Sequence, residues 1–424
     1  MSTQPIVEGA HPDDVTESKP TLQLLHNRAF ALLWSGRTIS YLGDTFFNLT
    51  IAWVVYSMSG SVLQTAIIQV VWHLPNLLFG PLAGVLADRW DRKRIMVLTN
   101  VLAALIVGVI AVLMFVQDTV SPVSIFVALF VLNSVTMFFG PANFSIMPEV
   151  VGRKLLTTAS GLFAISGQVA ALIGGPLSGM VIAVVGAVWT ILFNAVSFLI
   201  AAVCIAIAPL PSHPPAAHTA RTAIPLWREL QAGWQVINEL PILRILVWLS
   251  VLLNVTSFTG PMWPALVSQQ LQGDATTFGI LQSMAVVGGL SAGLVVGKLE
   301  RQMGAGRIAI IGWIVGGTCT LGIAFSTSIP LTGLFMFVST FGSVVASIAF
   351  GALSQTLCPP DYRGRLSGIS SALAVLAIPP SALLGGWLAD LVGVTVLFAI
   401  AGIWTLGVAG LAQTNRSVRT AKID

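Results

Sequence analysis

The chain is a series of long apolar stretches separated by short polar connections. Six stretches precede residue 209 and six follow residue 241, and each is close to the roughly 20 residues that a helix needs to cross a bilayer. None shows the alternation of a membrane β-barrel strand. The pattern therefore predicts an all-α membrane protein with twelve transmembrane helices, over residues 29–57, 63–87, 95–116, 122–147, 157–184, 188–208, 242–268, 276–297, 308–327, 331–357, 367–391 and 395–412.

Composition supports this class and excludes others. The 424 residues are 55% hydrophobic and 8% charged, with a mean hydropathy of +0.89, which leaves too few polar side chains to cover a soluble globule. Cys204, Cys319 and Cys358 lack metal-ligand spacing and are interpreted as small buried side chains. We expect no metal and no cofactor.

The basic residues indicate the orientation. If the N-terminus is cytoplasmic, nineteen of the twenty Lys and Arg residues fall in cytoplasmic segments or, as Arg244 does, at the cytoplasmic end of a predicted span, and only Arg37 lies deeper inside a span. Basic residues near span ends resist translocation. The net charge of +4 therefore reports topology in the cell membrane, with both termini cytoplasmic, and not a nucleic-acid partner.

The arrangement of the apolar stretches also predicts the domain boundaries. A proline-rich stretch opens the linker between the two sets of spans, and Trp227, Leu230, Trp234 and Ile237 then recur at helical spacing. Such a segment is expected to lie flat on the inner leaflet. We predict a disordered cytoplasmic tail over 1–27, a six-helix bundle over 28–208, a linker with an amphipathic helix over 209–240, a second six-helix bundle over 241–412 and a cytoplasmic tail over 413–424.

The two sets of spans are related in sequence. Residues 140–153 can be laid on residues 351–365, and Leu172-Ile-Gly174-Gly175 matches Leu383-Leu-Gly385-Gly386. A constant offset of about 210 residues indicates a duplicated unit. Because each unit has an even number of spans, the two repeats are expected to be parallel around a central site.

One connection carries the densest cluster of charge, in the stretch Gly84-Val-Leu-Ala-Asp88-Arg89-Trp-Asp91-Arg92-Lys93-Arg94. Its spacing resembles the loop between helices 2 and 3 of the major facilitator superfamily, although Asp91 stands where the general motif has Gly. The segments 27–34 and 40–44 resemble more narrowly the drug:proton antiporter branch that includes macrolide and siderophore exporters.

This resemblance implies a cytoplasmic latch that holds the two halves closed. Asp88 would sit against the N-terminus of the helix near Ser367, and Arg92 would reach Glu149. The alternative is that these charges only anchor helices and set topology. The implied latch set is Gly84, Asp88, Arg89, Arg92, Lys93, Glu149, Arg153, Asp361 and Arg365.

A second motif lies in the fifth predicted span. The residues around Gly175, Pro176 and Gly179 resemble the antiporter motif of exporters, without its first glycine. Glycines let neighbouring backbones approach closely, and proline bends a helix. Plain helix packing explains these residues equally well.

The first predicted span carries a polar stripe. Arg37, Tyr41, Asp44 and Asn48 recur at intervals of four, three and four, so they share one helix face. Exposure of these polar side chains to lipid would cost several kcal/mol of free energy. The stripe is therefore expected to face a central cavity. Desolvation disfavours a charged carboxylate, which makes Asp44 the candidate proton carrier. The alternatives are that Asp44 is a structural hydrogen-bond partner and that Arg37 reaches to the inner membrane surface.

The expected function is efflux of an amphiphilic small molecule by alternating access with proton antiport. Nutrient import or uniport by the same fold is the first alternative, and a non-transporting receptor or an enzyme is the second. The sequence contains no cluster of His, Asp or Glu at a span end that would indicate an enzyme. It also contains no P-loop that would indicate ATP binding. The expected partners are a small-molecule substrate, protons and the lipid bilayer, and we expect a monomer.

Overall fold

The computed structural model describes residues 20–116, 120–210, 241–357, 363–415 and 419. Side chains are described throughout these ranges except in 81–89, 241–243, 355, 357 and 363–375. The described residues form helices and short connections without strands. The helices are α1 Pro20–His26, α2 Arg28–Ser59, α3 Val62–Arg89, α4 Arg92–Val116, α5 Pro122–Thr136, α6 Phe139–Val151, α7 Leu156–Val185, α8 Ala187–Ile207, α9 Pro241–Asn254, α10 Ala275–Met303, α11 Ala305–Phe325, α12 Ile329–Leu357, α13 Arg363–Val392 and α14 Val394–Thr414.

The predicted all-α membrane fold is confirmed, but the exact number of spans is not. Within the described ranges, ten helical segments are long and apolar enough to cross a membrane. Two further long helices, α2 and α13, occupy the positions of the first and eleventh predicted spans. The count of twelve therefore stays a prediction. The predicted amphipathic helix of the linker lies outside the described residues.

Two predicted spans are broken, which the apolar pattern did not predict. The fourth span is interrupted between α5 and α6, four residues before Pro141, whose nitrogen cannot donate to the Met137 carbonyl. The seventh span continues beyond α9 as a 3₁₀ segment, Val255–Met262, and ends in a π-helical turn, Leu266–Gln270. Pro261 and Pro264 remove two backbone donors within it.

Side-chain contacts distinguish the two ends of the bundle. Arg92, at the start of α4, contacts Glu149 near the end of α6, and Lys93 donates to the Ala208 carbonyl after α8. This end also carries Arg153, and we call it the basic end. The opposite end, which carries Ser61, Asp274 and Asp390, is the far end.

The described residues between 20 and 210 form the first half, and those between 241 and 419 form the second half. At the basic end, one apolar cluster of the first half contains Phe30 and Ile146, and a separate cluster of the second half contains Leu246 and Trp313. Toward the far end, a single cluster combines both halves. The described side chains therefore join the two halves at the far end.

Candidate functional site

Three pockets that share lining residues form the lobes of a central cavity. It has a first-half lobe of about 600 Å³, a middle lobe of about 410 Å³ and a second-half lobe of about 740 Å³. The middle lobe shares Asn48 and Trp72 with the first-half lobe, and Gln69 and Gln282 with the second-half lobe. The broken spans line this cavity, since Gly140 and Pro141 border one lobe and Gly260 borders the other two. Irregular backbone at membrane depth is tolerated where it lines such a cavity.

Close contacts with α7 and α8 leave one face of α2 free to meet the cavity. A Cβ on Gly36 would lie 2.9 Å from the Cys204 Cβ, and a Cβ on Gly43 would overlap Ser197, so α8 packs directly on this face. On another face, α7 approaches through Gly174, where an added Cβ would lie 2.9 Å from Thr45. The remaining face of α2 carries the polar stripe to the cavity.

An ion pair lies on that face. Arg37 Nη1 is 3.7 Å from Asp44 Oδ2, and the two side chains are 28% and 30% exposed. The Arg37 guanidinium lies 4.3 Å from the centre of the Tyr41 ring, and Arg37 Nη1 also donates to Ser40 Oγ at 3.3 Å. Arg37 therefore keeps contacts that do not depend on Asp44.

The structure brings together three of the four predicted stripe residues at the cavity. Arg37, Asp44 and Asn48 line the first-half lobe. Tyr41 instead stacks against the guanidinium of Arg37. Within the described ranges, no group of three or more His, Cys, Asp or Glu side chains could hold a metal ion.

The predicted latch residues whose side chains are described lie within the first half. Arg92 Nη1 contacts Glu149 Oε1 at 2.8 Å and donates to the Ser145 carbonyl at 3.3 Å. Lys93 Nζ donates to the Ala208 carbonyl at 2.8 Å, and Arg153 begins an exposed 3₁₀ turn. These contacts tie α4 to α6 and to the end of α8.

The remaining latch residues fall outside the description. Asp361 is outside the described residues. The side chains of Asp88, Arg89 and Arg365, and the surroundings of Gly84, lie in stretches whose side chains are not described. The contact between Asp88 and the helix near Ser367 therefore stays a prediction.

The predicted antiporter motif packs against the other half. A Cβ on Gly175 would lie 2.7 Å from the Gly279 carbonyl oxygen, and a Cβ on Gly179 would overlap the Ala275 carbonyl. Ser283 Oγ of α10 donates to the Leu172 carbonyl of α7 at 2.7 Å. We call this contact of α7 and α10 the glycine seam. Pro176 lies within it, between the two glycines.

Asp390 is a residue that sequence reasoning missed. Its carboxylate contacts Ser61, Val62 and Leu63 of the first half. The available signal was an acid close to the end of an apolar stretch. That signal does not identify a partner more than 300 residues away in sequence.

Comparison with known proteins identifies the family. Residues 20–424 match a family model described as MFS_3, transmembrane secretion effector. The chain belongs to the major facilitator superfamily. This superfamily comprises membrane transporters, so the family and fold are those of transporters and not of enzymes.

Three curated members of the superfamily are similar along nearly the whole chain. Macrolide efflux protein A of Streptococcus pyogenes is 26% identical, and the match covers 93% of this chain and 97% of that protein. Multidrug efflux pump Tap of Mycolicibacterium fortuitum is 26% identical over 90% and 92% of the two chains. The staphyloferrin A transporter of Staphylococcus aureus is 25% identical over 88% and 92%.

Solved structures of superfamily members share the fold. The nucleoside transporter NupG matches with a TM-score of 0.69 at 14% identity, over 92% of this chain and 98% of that one. A bacterial homologue of the iron transporter ferroportin matches in its inward-facing state with a TM-score of 0.70 at 17% identity, over 92% and 100%. Its outward-facing state matches with a TM-score of 0.56 at 20% identity, over 91% and 97%.

Proposed function

We propose that this chain exports an amphiphilic small molecule across the cell membrane by alternating access, driven by proton antiport. Relatives named as macrolide and multidrug efflux proteins support the direction and the class of substrate. The observation that carries the proposal is the Arg37–Asp44 pair at 3.7 Å in a cavity between two halves that are packed together at one end. The transporter acts as a monomer, without ATP and without nucleic acid.

The pair offers a means of coupling. With Asp44 charged, the pair adds no net charge to the first-half lobe, and an amphiphilic substrate enters at little electrostatic cost. When Asp44 takes up a proton, Arg37 keeps its charge and its contacts with Tyr41 and Ser40. The lobe then gains a positive charge that repels a cationic substrate. Proton binding and substrate binding therefore exclude each other, as antiport requires.

The orientation follows from charge. The basic end, with Arg92, Lys93 and Arg153, faces the cytoplasm, where basic residues are retained. Both termini are cytoplasmic in this orientation. The far end, where the described side chains join the two halves, then faces the outside. The described conformation is closed to the outside, and substrate enters from the cytoplasm.

Transport in everted membrane vesicles tests the proposal. Ethidium and radiolabelled erythromycin serve as probes, with and without an imposed pH gradient. We expect wild-type vesicles to accumulate a probe when the gradient is imposed. Asp44→Asn vesicles should lose gradient-driven accumulation, since the neutral amide cannot release a proton, and exchange of preloaded cationic ethidium should slow, since Arg37 keeps its charge.

The matched control is Asp274→Asn, which changes an acid at the far end outside the cavity. It should leave accumulation unchanged. Thermal unfolding of Asp44→Asn in nanodiscs at the wild-type temperature shows that the variant is folded. Gradient-driven accumulation by Asp44→Asn at the wild-type rate would refute the role of Asp44, and accumulation by wild type that ignores the gradient would refute proton antiport.

A further inference from the structure

We propose that the second-half lobe is a subsite for an uncharged, hydroxyl-rich part of the substrate, such as a sugar ring. The charged side chains Arg37 and Asp44 belong to the first-half lobe. The inference deepens the proposed function and rests on it in one respect, which is that the cavity is the substrate route.

The second-half lobe differs from the first-half lobe in charge. Among the residues whose side chains the structure describes, 23 line this lobe and none of them is Asp, Glu, Lys, Arg or His, whereas the first-half lobe contains the Arg37–Asp44 pair. A charged group that entered the second-half lobe would lose hydration without gaining an ionic partner, at a cost of several kcal/mol. The lobe therefore selects against a charged part of a substrate.

The wall is nevertheless polar, because nine of the 23 lining residues are Ser or Thr. Several of them have already donated their hydroxyl hydrogen to the helix that carries them. Thr256 Oγ1 donates to the Leu253 carbonyl at 2.8 Å, and Thr405 Oγ1 donates to the Ala401 carbonyl at 2.9 Å. Their free lone pairs are acceptors. These positions therefore suit a ligand that offers uncharged O–H donors.

Two serine hydroxyls on α12 can serve either as hydrogen-bond donors or as acceptors. Ser343 and Ser347 lie four residues apart on one face of α12, and both are exposed to the lobe. Within the described part of the chain, neither hydroxyl has a hydrogen-bond partner. A free serine hydroxyl can donate or accept. A polyhydroxylated ligand, whose groups do both, matches such a row better than a ligand with acceptors alone.

Aromatic rings give the same lobe flat apolar surfaces. Trp263 packs edge-on against Phe398 with ring centroids 5.2 Å apart, and Trp313 packs against Phe350 at 5.4 Å. All four residues line the lobe, and of these Trp263 and Phe350 are partly exposed whereas Trp313 and Phe398 are buried. A sugar ring has hydroxyls around its edge and C–H groups on its faces, so it can satisfy a wall that combines hydroxyls with aromatic surfaces.

Binding of a matched pair of probes tests this inference. 4-Methylumbelliferyl β-cellobioside carries a neutral disaccharide, and 7-methoxy-4-methylcoumarin has the same ring system without it. The full-length transporter is placed in lipid nanodiscs, which avoids sugar-based detergents, and binding is measured by equilibrium dialysis with coumarin fluorescence. We expect the wild-type protein to bind the glycoside about tenfold more tightly than the coumarin, as two net hydrogen bonds would provide.

The double variant Ser343→Ala/Ser347→Ala should remove most of that preference and leave coumarin binding unchanged. Ser354→Ala is the matched control, because Ser354 lies on the same helix, donates to the Phe350 carbonyl and does not line the lobe. It should behave as wild type. Unchanged coumarin binding shows that the double variant is folded.

Equal binding of the two probes by the wild-type protein would overturn the inference, as would equal losses for both probes in the double variant. Dialysis requires no gradient, so these outcomes are independent of proton coupling. A transporter that prefers the glycoside but ignores a pH gradient would refute the proposed antiport and leave the subsite standing. Gradient-driven export without any glycoside preference would refute the subsite and leave the proposed antiport standing.

Discussion

Asp390 Oδ1 accepts a hydrogen bond from the backbone N–H of Val62 at 2.7 Å, which places an acid of the second half on the first turn of a helix of the first half. Asp390 Oδ2 accepts from Ser61 Oγ at 2.6 Å and from the Leu63 N–H at 3.2 Å. A helix N-terminus has unpaired N–H groups and favours negative charge. Asp390 therefore joins α13 to α3 at the far end of the cavity.

We expect Asp390→Ala to open the far end more often. A side chain that caps a helix stabilises it by about 1 kcal/mol, and here that stabilisation exists only while the halves are together, so its loss should raise the open population about fivefold. The reporter is Leu49→Cys, at a 7% exposed residue of the cluster that combines both halves, in a protein with Cys204, Cys319 and Cys358 replaced by Ser. An impermeant maleimide added outside intact cells should label the variant faster.

The matched control for this experiment is Asp274→Ala. Asp274 also caps a helix, through Thr277 N–H at 2.9 Å, but that helix belongs to its own half. Its removal should leave the labelling rate of Leu49→Cys at the wild-type value. If the two Ala variants label alike, Asp390 has no special role in closing the far end.

Asp390 also shows that local sequence patterns predict helices but not the long-range contacts of their side chains. The apolar stretches predicted the helices because each stretch is a local property of the chain, and the spacing of Arg37, Asp44 and Asn48 predicted a shared helix face for the same reason. The partner of Asp390 depends on how α13 packs against α3, which no local pattern encodes. The second-half lobe was missed similarly, because its hydroxyls are distributed over several helices.

The glycine seam gives a second case. Gly289, Gly293 and Gly297 recur every four residues in the eighth predicted span, a pattern that is typical of close helix packing. In the structure, added Cβ atoms at Gly293 and Gly297 would have no neighbour within 4 Å, and Gly279 instead packs against Gly175. Small residues predict that a helix can be approached closely, but not which helix approaches.

We expect Gly175→Ala to weaken the glycine seam. The added methyl group would lie 2.7 Å from the Gly279 carbonyl oxygen, so α7 and α10 must move apart. Labelling of Leu49→Cys from outside should become faster, and accumulation of ethidium in everted vesicles should become slower. Gly161→Ala on the same helix is the control, because its Cβ would meet nothing within 4 Å. Identical behaviour of the two variants would show that close approach at the seam does not matter.

We expect the Arg92–Glu149 pair to contribute little to stability. The two side chains are 25% and 31% exposed, and an exposed ion pair contributes about 0–1 kcal/mol. A double-mutant cycle with Arg92→Gln and Glu149→Gln, read by thermal unfolding in nanodiscs, should give a coupling of about 0.5 kcal/mol that decreases with added salt. A coupling of several kcal/mol would mean that this pair anchors α4 to α6 strongly.

The Asp274 cap should make part of the stability of α10 depend on pH. The backbone N–H of Thr277 donates to Asp274 Oδ1 at 2.9 Å and holds the pKa of this exposed carboxyl below its usual range. Because the folded pKa is lower than the unfolded value of about 3.9, the contribution is fully present above that value and is lost as the pH falls through the folded pKa. At pH 7, Asp274→Ala should lose about 1 kcal/mol or less, as expected for loss of an N-cap.

Thermal unfolding of the wild type, Asp274→Ala and Asp274→Asn in nanodiscs between pH 3 and pH 8 measures this contribution. The gap between the wild type and Asp274→Ala should narrow as the pH falls below about 4, since the protonated carboxyl accepts the Thr277 N–H less well. Asn caps helices without titrating, so the gap between Asp274→Asn and Asp274→Ala should stay constant. A wild-type advantage that persists at pH 3 would show that the charge of Asp274 is irrelevant to its cap.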